Sequence, residues 1–562
     1  MAEEIKTKKK GTLIKALKGR RYERSGYPIE YVALWYRDKH GEKRMIFKDN
    51  PEVPFYIIKD KNSEEAKYPP KFIHESLVDK YMVPKDKLNK TIASMVPKGM
   101  EFFNEVSMRS QRGQWSSWMD DIQTHPYIYG SDMDLDDYMV SEFLNEHDPV
   151  EDYKLHICYY DIEVDLAEKG LTPNSKGEIG YQGFPDEDIA PCPVLLITLV
   201  DDRYDNVTIH TFIYDNGLNP EIKKYVENAE ANKERIIQNI ENETNRINMP
   251  VKVNSFINYV YNDELEMLMG FIALVHEIDP DIMSAWNAAF DYNTIYNRIK
   301  KLKQRTEFAN TYKFEDQIMN DPKYCNVISY TGQPMFLIHP VYYKRDKVTG
   351  HASEKTEWLS VFDGIRWEDQ LLVFAGLRKH EGVRDSYKLD DVVADELGSE
   401  KLKFPHGMTI KTAPWQDFVL FTEYNVRDTI LLMLLSRKGE DYQQLQTMAD
   451  ITYTAHSKLL MMTQSIKNII NKIANEQGYI MRNNTNARKS EGLFEEICEI
   501  PVPPEEEDDE YREILSRVFR EGGAVADVNL IDDVGVEILG KKSNKLFGNT
   551  VDLDLRSLYP SL

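Results

Sequence analysis

A nearly continuous apolar run that carries acidic residues near its end is the feature that most constrains the fold. Residues 155–164 read Leu-His-Ile-Cys-Tyr-Tyr-Asp-Ile-Glu-Val. Such a run is typical of a central β-strand that is buried on both faces. Successive strand side chains point to opposite faces, so Asp161 and Glu163 share one face. Two carboxylates there are costly unless a cation neutralises them, which makes the pair a candidate for metal binding.

The elements that follow this strand predict an α/β fold. Three strands followed by alternating helix and strand favour a ribonuclease-H-like arrangement. The polar stretch 220–248 has helical spacing and is interpreted as a solvated insertion. The other predicted elements are strands at 194–200, 207–214 and 281–286, and helices at 262–275, 291–303 and through most of 428–477.

The first part of the chain is predicted to be rich in β-structure. Residues 31–36 and 44–47 are predicted to pair as a hairpin, and 51–58 to follow as the third strand of a meander. The basic segment 6–24 has two open interpretations. It is either a local nucleic-acid-binding patch or a solubilising, partly disordered arm.

Net charge limits how the chain can bind nucleic acid. The chain has 70 Lys and Arg against 94 Asp and Glu, a net charge of −24. This charge argues against a protein held on duplex DNA by a general basic surface. It leaves room for a nucleic-acid enzyme, because carboxylates that hold metal ions add negative charge at a site.

Cysteine spacing and hydropathy indicate the compartment. Cys158, Cys192, Cys325 and Cys498 are far apart, and we interpret them as reduced, buried thiols rather than zinc ligands or disulfides. The sequence has no run of about 20 apolar residues and begins without an apolar signal region. We expect a protein without a membrane span, located in the cytoplasm, or in the host cytoplasm if it is viral.

The segment 286–291, Trp-Asn-Ala-Ala-Phe-Asp, lies at a predicted strand-to-helix junction. Asp291 falls in the first turn of that helix, where the helix dipole favours an ionised carboxylate. Asn287 offers a donor and an acceptor to a terminal nucleotide, and Phe290 can stack on a base or pack in the core. Taken alone, Asp291 is equally well explained as a helix cap.

A third segment, 424–428, reads Tyr-Asn-Val-Arg-Asp. Its spacing places Tyr424 and Asp428 on one face of a helix. Alone, the pair is better explained as a surface contact, and an isolated Asp-x-Glu such as 161–163 is also common. The three segments in this order are much more specific than any one of them.

Together they resemble the DEDD exonuclease motifs, Asp-x-Glu, Asn-x₂₋₃-Phe-Asp and Tyr-x₃-Asp. Tyrosine rather than histidine four residues before the last Asp is similar to the subclass found in polymerase proofreading domains. The resemblance implies that Tyr424 orients the attacking water and that Asn287 and Phe290 hold a frayed single-stranded DNA 3′ end. It also implies a set of four metal ligands, Asp161, Glu163, Asp291 and Asp428.

This set suits phosphodiester hydrolysis. The reaction needs a hydroxide at neutral pH and a stabilised leaving 3′ oxygen, and two divalent ions about 4 Å apart provide both. Two Mg²⁺ or Mn²⁺ ions fit ligation by oxygen alone.

Most of the chain resembles family B DNA polymerases, closest to the type of T4-like bacteriophages. Residues 386–390 resemble the helix before the third exonuclease motif, and 475–480 resemble the return of the chain toward the palm. Gly522 and Gly523 resemble a glycine motif that touches the template backbone, although a plain turn is the alternative. The final residues, 552–562, resemble the first palm motif, in which Asp554 would bind metal and Tyr559 would exclude ribonucleotides.

The resemblance implies an α+β multidomain protein. The expected domains are an N-terminal β-rich domain at 1–152, a ribonuclease-H-like 3′→5′ exonuclease domain at 153–437, a helical return at 438–500, and an incomplete palm at 501–562. A Pro- and acid-rich linker at 500–509 supports the last boundary.

The carboxylates and the fingers lysine of later polymerase motifs are absent from this sequence. One carboxylate cannot hold two metals, so we expect the chain alone not to polymerise. Expected partners are single-stranded 3′ ends, primer–template DNA and a separate C-terminal polymerase chain. A natural split is favoured, and an intein junction or a truncation stays open. Two other functions also stay open, an assembly and DNA-binding module that completes a split polymerase, and a nuclease directed at RNA.

Overall fold

The computed structural model describes residues 8–22, 28–109, 118–167, 170–203, 206–303, 357–359, 364–382, 384–483, 490 and 492–498. In chain order the strands are β1 Lys9–Tyr22, β2 Pro28–Asp38, β3 Lys43–Asp49, β4 Glu52–Ile58, β5 Phe72–His74, β6 Val78–Pro84, β7 Ile128–Tyr129, β8 His147–Asp148, β9 Ile157–Val164, β10 Val194–Arg203, β11 Asn206–Tyr214, β12 Val253–Tyr261, β13 Ile282–Ala285, β14 Glu357–Leu359, β15 Arg366–Asp369 and β16 Tyr479–Met481.

The α-helices are α1 Glu64–Lys67, α2 Leu88–Met95, α3 Gly99–Arg109, α4 Leu135–Glu146, α5 Pro220–Glu227, α6 Ala229–Arg246, α7 Glu264–Ile278, α8 Ala288–Lys303, α9 Gln370–Leu377, α10 Leu389–Leu397, α11 Ala413–Gln416, α12 Phe418–Gly439, α13 Asp441–Thr452, α14 Met462–Glu476 and α15 Leu493–Cys498. None of the helices in these described ranges is both long and apolar enough to span a membrane.

A seven-stranded sheet of order β12-β11-β10-β9-β13-β15-β14 forms the centre of the molecule. The strand predicted at 155–164 is β9, and it lies in the middle, antiparallel to β10 and parallel to β13. The predicted order of three strands followed by alternating helix and strand is therefore confirmed, as is the mixed α/β, ribonuclease-H-like fold class. The sequence prediction missed β12, whose Asn and Ser residues lower its β-propensity.

The predicted hairpin is confirmed, because β2 and β3 pair as antiparallel strands. The prediction of a three-stranded meander is wrong, since β4 leaves this sheet and pairs with β6 and β7. At the point of departure Asn50 adopts a left-handed backbone conformation with φ of 48°. Asn adopts the left-handed conformation more readily than most residues, and this conformation turns the chain away from β3.

The described part of the basic N-terminal segment forms β1, Lys9–Tyr22, which pairs with β2 in an antiparallel ladder. Lys15 is buried, and its Nζ donates a hydrogen bond of 2.7 Å to the carbonyl of Ile365. The interpretation as a partly disordered arm is therefore wrong for β1. Binding of nucleic acid by this segment stays a prediction.

The stretch 220–248 is helical, as its spacing predicts, but it is not a solvated insertion. Helices α5 and α6 bury Ile222, Tyr225, Ile236 and Ile240 in the same core as one face of α12. These four residues recur at helical spacing, but most residues around them are polar. The high average polarity of the stretch therefore hid a narrow apolar stripe on each helix from the sequence prediction.

Three helices, α12 to α14, account for the predicted helical stretch 428–477. They are separated at Glu440 and Tyr453, which adopt left-handed conformations with φ of 50° and 57°. After them β16 pairs with β5, near the start of the chain. This pairing supports the proposed return of the chain, and the domain boundaries themselves stay predictions.

The described cysteines, Cys158, Cys192 and Cys498, are buried and form no disulfide, as predicted. Several predicted features lie outside the described residues. They are Cys325, the linker 500–509, the glycine pair Gly522 and Gly523, and the residues Asp554 and Tyr559.

A buried charge cluster joins the β2–β3 hairpin to the seven-stranded sheet. Arg37 Nε donates to Asp281 Oδ1 at 2.8 Å, and Asp281 Oδ2 accepts from the Tyr153 hydroxyl at 2.5 Å. Asp279 accepts from Arg37 at 3.0 Å and from Lys43 at 2.6 Å. Because the Asp281 side chain is fully buried, its charge depends on these partners.

We predict that Arg37→Met lowers the free energy of unfolding by about 3 kcal/mol, because it leaves a buried carboxylate without its cation. The matched control is Arg44→Met, since Arg44 pairs with Asp38 and Glu42 on the exposed end of the same hairpin. Denaturant unfolding should show a large loss for Arg37→Met and little change for the control. Equal effects would show that the buried pair does not hold the hairpin to the sheet.

Candidate active site

Strand β9 supplies the first two acidic residues. Asp161 lies opposite Thr198 of β10, and Glu163 lies opposite Leu196. The two side chains share one face of β9 because strand residues alternate. Both are partly exposed on the central strand of the sheet, so they form the floor of the site.

The junction between β13 and α8 supplies the third acid. Asp291 is in the first turn of α8 and is 4% exposed. The preceding Asn287 has φ of 64°, and its backbone N–H donates to Asp369 Oδ1 at 3.1 Å. Asp369 also caps α9 by accepting from the N–H of Leu371 at 3.0 Å. The buried Asp369 carboxylate thus fixes the turn that positions Asp291.

Helix α12 supplies the fourth acid. Asp417 caps this helix by accepting a hydrogen bond from the N–H of Leu420 at 2.9 Å. About two turns after Asp417, Asn425 Nδ2 donates to Asp161 Oδ2 at 2.7 Å. Asp428, buried at 2% exposure, follows on the next turn. The Asn425 hydrogen bond therefore fastens the third sequence motif to the first.

The pKa values of Asp161, Glu163 and Asp291 are each raised in part by the charge of another acid of the set, which indicates that the acids lie near one another. Burial and the neighbouring Asp428 carboxylate raise the pKa of Asp161 to about 7. Burial, and then the charges of Asp161 and Asp428, raise the pKa of Glu163 well above its usual value. The pKa of Asp291 is also raised well above its usual value, by burial and then by Asp161.

These residues fit a divalent metal centre. Among the described residues, Asp291 Oδ2 and Asp428 Oδ1 are buried and have no hydrogen-bond partner. A buried carboxylate oxygen without a partner is costly, and a bound cation would satisfy it. Oxygen ligands alone favour Mg²⁺ or Mn²⁺. Among the described residues, no three of these four acids bring ligand oxygens within 4.8 Å of one another.

Lys401 is a site residue that sequence reasoning missed. Its Nζ donates to Asp428 Oδ2 at 2.6 Å and lies 5.5 Å from the centre of the Tyr424 ring. Burial lowers the pKa of Lys401, but the carboxylates of Asp428 and Asp161 more than offset this, so the net pKa is raised. Lys401 is thus a fixed cation beside the acids. Lys401 lies in a loop whose sequence has no helical or strand periodicity, so the sequence does not predict that this lysine reaches the site.

Tyr424 lies on the rim of the site, and its ring is 5.0 Å from that of Phe404. Burial, and then the Asp428 carboxylate, raise the pKa of the Tyr424 phenol. The phenol therefore stays neutral and can donate a hydrogen bond, and Asp428 is one acceptor within its reach. A neutral donor in this place can orient a water molecule.

Phe290 contributes to an aromatic surface next to the acids. Its ring lies 4.8 Å from that of Phe184, which is 75% exposed. Exposed aromatic rings are suited to stacking on unpaired bases. Phe184 was missed because it lies in a loop far from every recognised motif.

The comparison with known families agrees with this geometry. Residues 133–330 match the family model described as DNA polymerase family B, exonuclease domain. The match includes the segments that contain Asp161, Glu163 and Asp291. It ends before Tyr424 and Asp428, whose helix α12 contacts Asp161 through Asn425. Among curated proteins none matches the sequence. The similarity supports a nuclease activity on DNA that uses divalent metal ions.

The raised pKa values predict how stability depends on pH and metal. The protonated form of Asp161 is favoured by folding, so its contribution to stability is complete below about pH 4 and is lost as pH rises through about 7. Mg²⁺ binds the ionised form. We expect Mg²⁺ to raise the melting temperature more at pH 8 than at pH 6, relative to EDTA. In Asp161→Asn this difference should shrink, and an equal Mg²⁺ effect at both pH values would contradict the site.

We also predict that Lys401→Met lowers the single-turnover rate of DNA cleavage about 10- to 100-fold, because Asp428 loses the partner that orients it. Lys403→Met is the matched control, since Lys403 lies in the same loop, is exposed and pairs with Glu400. Single-turnover cleavage should separate the two variants. Similar rates for both would remove Lys401 from the site.

Proposed function

We propose that this chain hydrolyses single-stranded DNA from its 3′ end with two divalent metal ions, as the proofreading exonuclease part of a family B DNA polymerase. The observation that carries the proposal is the convergence of four acids from three distant segments. Buried oxygens without partners in this cluster, and the family match of residues 133–330, support it.

In this proposal Asp161, Glu163, Asp291 and Asp428 hold the ions. When bound, the ions supply a hydroxide at neutral pH and stabilise the leaving 3′ oxygen. The chain's own groups do the positioning. The hydrogen bonds from Asn425 and Lys401 hold the carboxylates of Asp161 and Asp428 in place before metal binds.

Tyr424 is proposed to position the attacking water. Its phenol is neutral and belongs to the same helix as Asp428, four residues away. Tyr424→Phe removes this donor and keeps the ring, so a fall in kcat for that variant with unchanged Mg²⁺ dependence would support the role.

The substrate is proposed to be an unpaired 3′ end. Phe290 and Phe184 offer rings for stacking, and Asn287 lies at the adjacent turn. A protein with a net charge of −24 does not hold duplex DNA by a general electrostatic field, so these local contacts carry more of the recognition. Paired 3′ ends should therefore be cleaved more slowly than frayed ones.

The polymerase side of the proposal rests on the sequence. Likeness to the T4-like bacteriophage type, the roles of Asp554 and Tyr559, the template contact of Gly522 and Gly523, the cytoplasmic location and the separate C-terminal chain all stay predictions. Inability of the chain to add nucleotides by itself is likewise a prediction.

The experiment uses DNA with a 3′ overhang and a 5′ label, incubated with Mg²⁺ and dNTPs, with or without EDTA. We expect a metal-dependent ladder of shortened products and no extension. Asp161→Ala should lower the cleavage rate on the order of 10³-fold or more while the protein stays folded. Glu234→Ala, an exposed acid on α6, is the control and should cleave normally.

Each outcome bears on a different part of the proposal. Normal cleavage by Asp161→Ala would remove this site from the chemistry. Preference for an RNA oligonucleotide of the same sequence would overturn the assignment of DNA as substrate. Extension of the primer would contradict the predicted lack of polymerisation.

A further inference from the structure

A second group of candidate metal ligands lies in the central sheet, away from the four acids. His156 Nε2 is 2.6 Å from Asp201 Oδ1, and Cys158 Sγ is 4.0 Å from His156 Nε2 and 3.9 Å from Asp201 Oδ1. All three atoms lie within 4.8 Å of one another. The cluster therefore places an imidazole nitrogen, a thiol sulfur and a carboxylate oxygen close enough to bind one ion.

Strand register brings these residues together. Cys158 of β9 lies directly opposite Asp201 of β10, which places their side chains on one face of the sheet. His156 precedes Cys158 by two residues and so points to the same face. Pairing of the strands fixes two of the three ligands on rigid backbone.

The group is separate from the candidate active site. Asp161 is three residues beyond Cys158, about 10 Å along the strand, and its side chain points to the opposite face of β9. None of the three residues is needed by the exonuclease chemistry proposed above.

The distances suit a tetrahedral ion with mixed ligands. Bonds of about 2.0–2.3 Å to zinc place neighbouring ligand atoms roughly 3.3–3.8 Å apart. The two distances from sulfur, 3.9 and 4.0 Å, are already close to this range. The distance of 2.6 Å between His156 and Asp201 is a hydrogen bond, which a metal ion would replace with a wider separation.

Cys158 and Asp201 are buried, so an ion would enter past the partly exposed His156. Arg203 Nε lies 3.1 Å from Asp201 Oδ2 and 3.4 Å from Asp201 Oδ1. Arg203 therefore pairs mainly with Oδ2, and Oδ1 faces His156 and Cys158. The Arg203 side chain is 56% exposed and can move aside. The His156 side chain is 18% exposed, which gives an ion a route from solvent.

We propose that His156, Cys158 and Asp201 bind a divalent transition-metal ion of the zinc class, with water as the fourth ligand. Sulfur and imidazole ligands disfavour Mg²⁺ and Ca²⁺ and select zinc-like ions. On binding, the Cys158 thiol loses its proton to solvent and the sulfur bonds to the metal as thiolate. The imidazole binds as a neutral ring through Nε2, with its proton on Nδ1.

The bound ion would fasten β9 to β10 at the end of the strand pair opposite to Asp161 and Glu163. It would therefore stabilise the sheet that carries these acids without taking part in hydrolysis. This assignment revises the sequence interpretation of Cys158 as a thiol with no metal-binding role.

The test uses the full chain, reduced and stripped of metal, in excess Mg²⁺ that saturates the carboxylate site. Co²⁺ added to the wild-type protein should produce a near-ultraviolet thiolate-to-cobalt absorption at one equivalent, and Zn²⁺ should displace it. Zn²⁺ should also raise the melting temperature. Both signals should be lost in Cys158→Ala and kept in Cys192→Ala, a matched control because Cys192 is also a buried cysteine outside any disulfide.

His156→Gln provides a second variant in case Cys158→Ala fails to fold. His156 is partly exposed, and its replacement should weaken Co²⁺ binding at least about tenfold. Absence of thiolate absorption in the wild-type protein would overturn the proposal. So would absorption that persists in Cys158→Ala, or Co²⁺ affinity that is unchanged in His156→Gln.

Discussion

Mutual repulsion among four clustered carboxylates, two of them buried and two partly exposed, is the constraint on which the rest of this structure depends. Asp161 and Glu163 come from the central strand, Asp291 from a strand-to-helix turn, and Asp428 from a helix more than a hundred residues later in the chain. Such a cluster opposes folding unless protons or cations neutralise it. The protein therefore maintains a polar site at the centre of its largest sheet, which is the arrangement expected when function rather than stability determines the residues.

The surrounding structure opposes this repulsion with specific partners. Asn425 donates to Asp161, Lys401 donates to Asp428, and Asp369 holds the turn before Asp291. Each partner belongs to a different element from the carboxylate or turn it holds, so the site and the fold stabilise one another. A similar pairing is found at the start of β13, where Arg37 neutralises Asp281 and joins the N-terminal hairpin to the sheet.

Much of the fold and of the candidate site could be predicted from the sequence, because long apolar runs and fixed spacings report local structure directly. The run at 155–164 gave the central strand, and the helical spacing at 424–428 placed Tyr424 and Asp428 on one helix. Contacts from irregular loops could not be predicted, since Lys401 and Phe184 reach the site through tertiary structure alone. The burial of α5 and α6 was also missed, because each helix has only a narrow apolar stripe and most of its other residues are polar.

The central claim is that the four acids form a two-metal site, and Mn²⁺ binding followed by electron paramagnetic resonance tests it most directly. We predict two Mn²⁺ ions per chain whose spectrum shows spin coupling, because the carboxylates that would hold them come from β9, α8 and α12 and lie in one cluster. Replacing Asp161 with Asn should remove the coupling. A spectrum of isolated ions in the wild-type protein, or coupling that is unaffected by Asp161→Asn, would contradict the account.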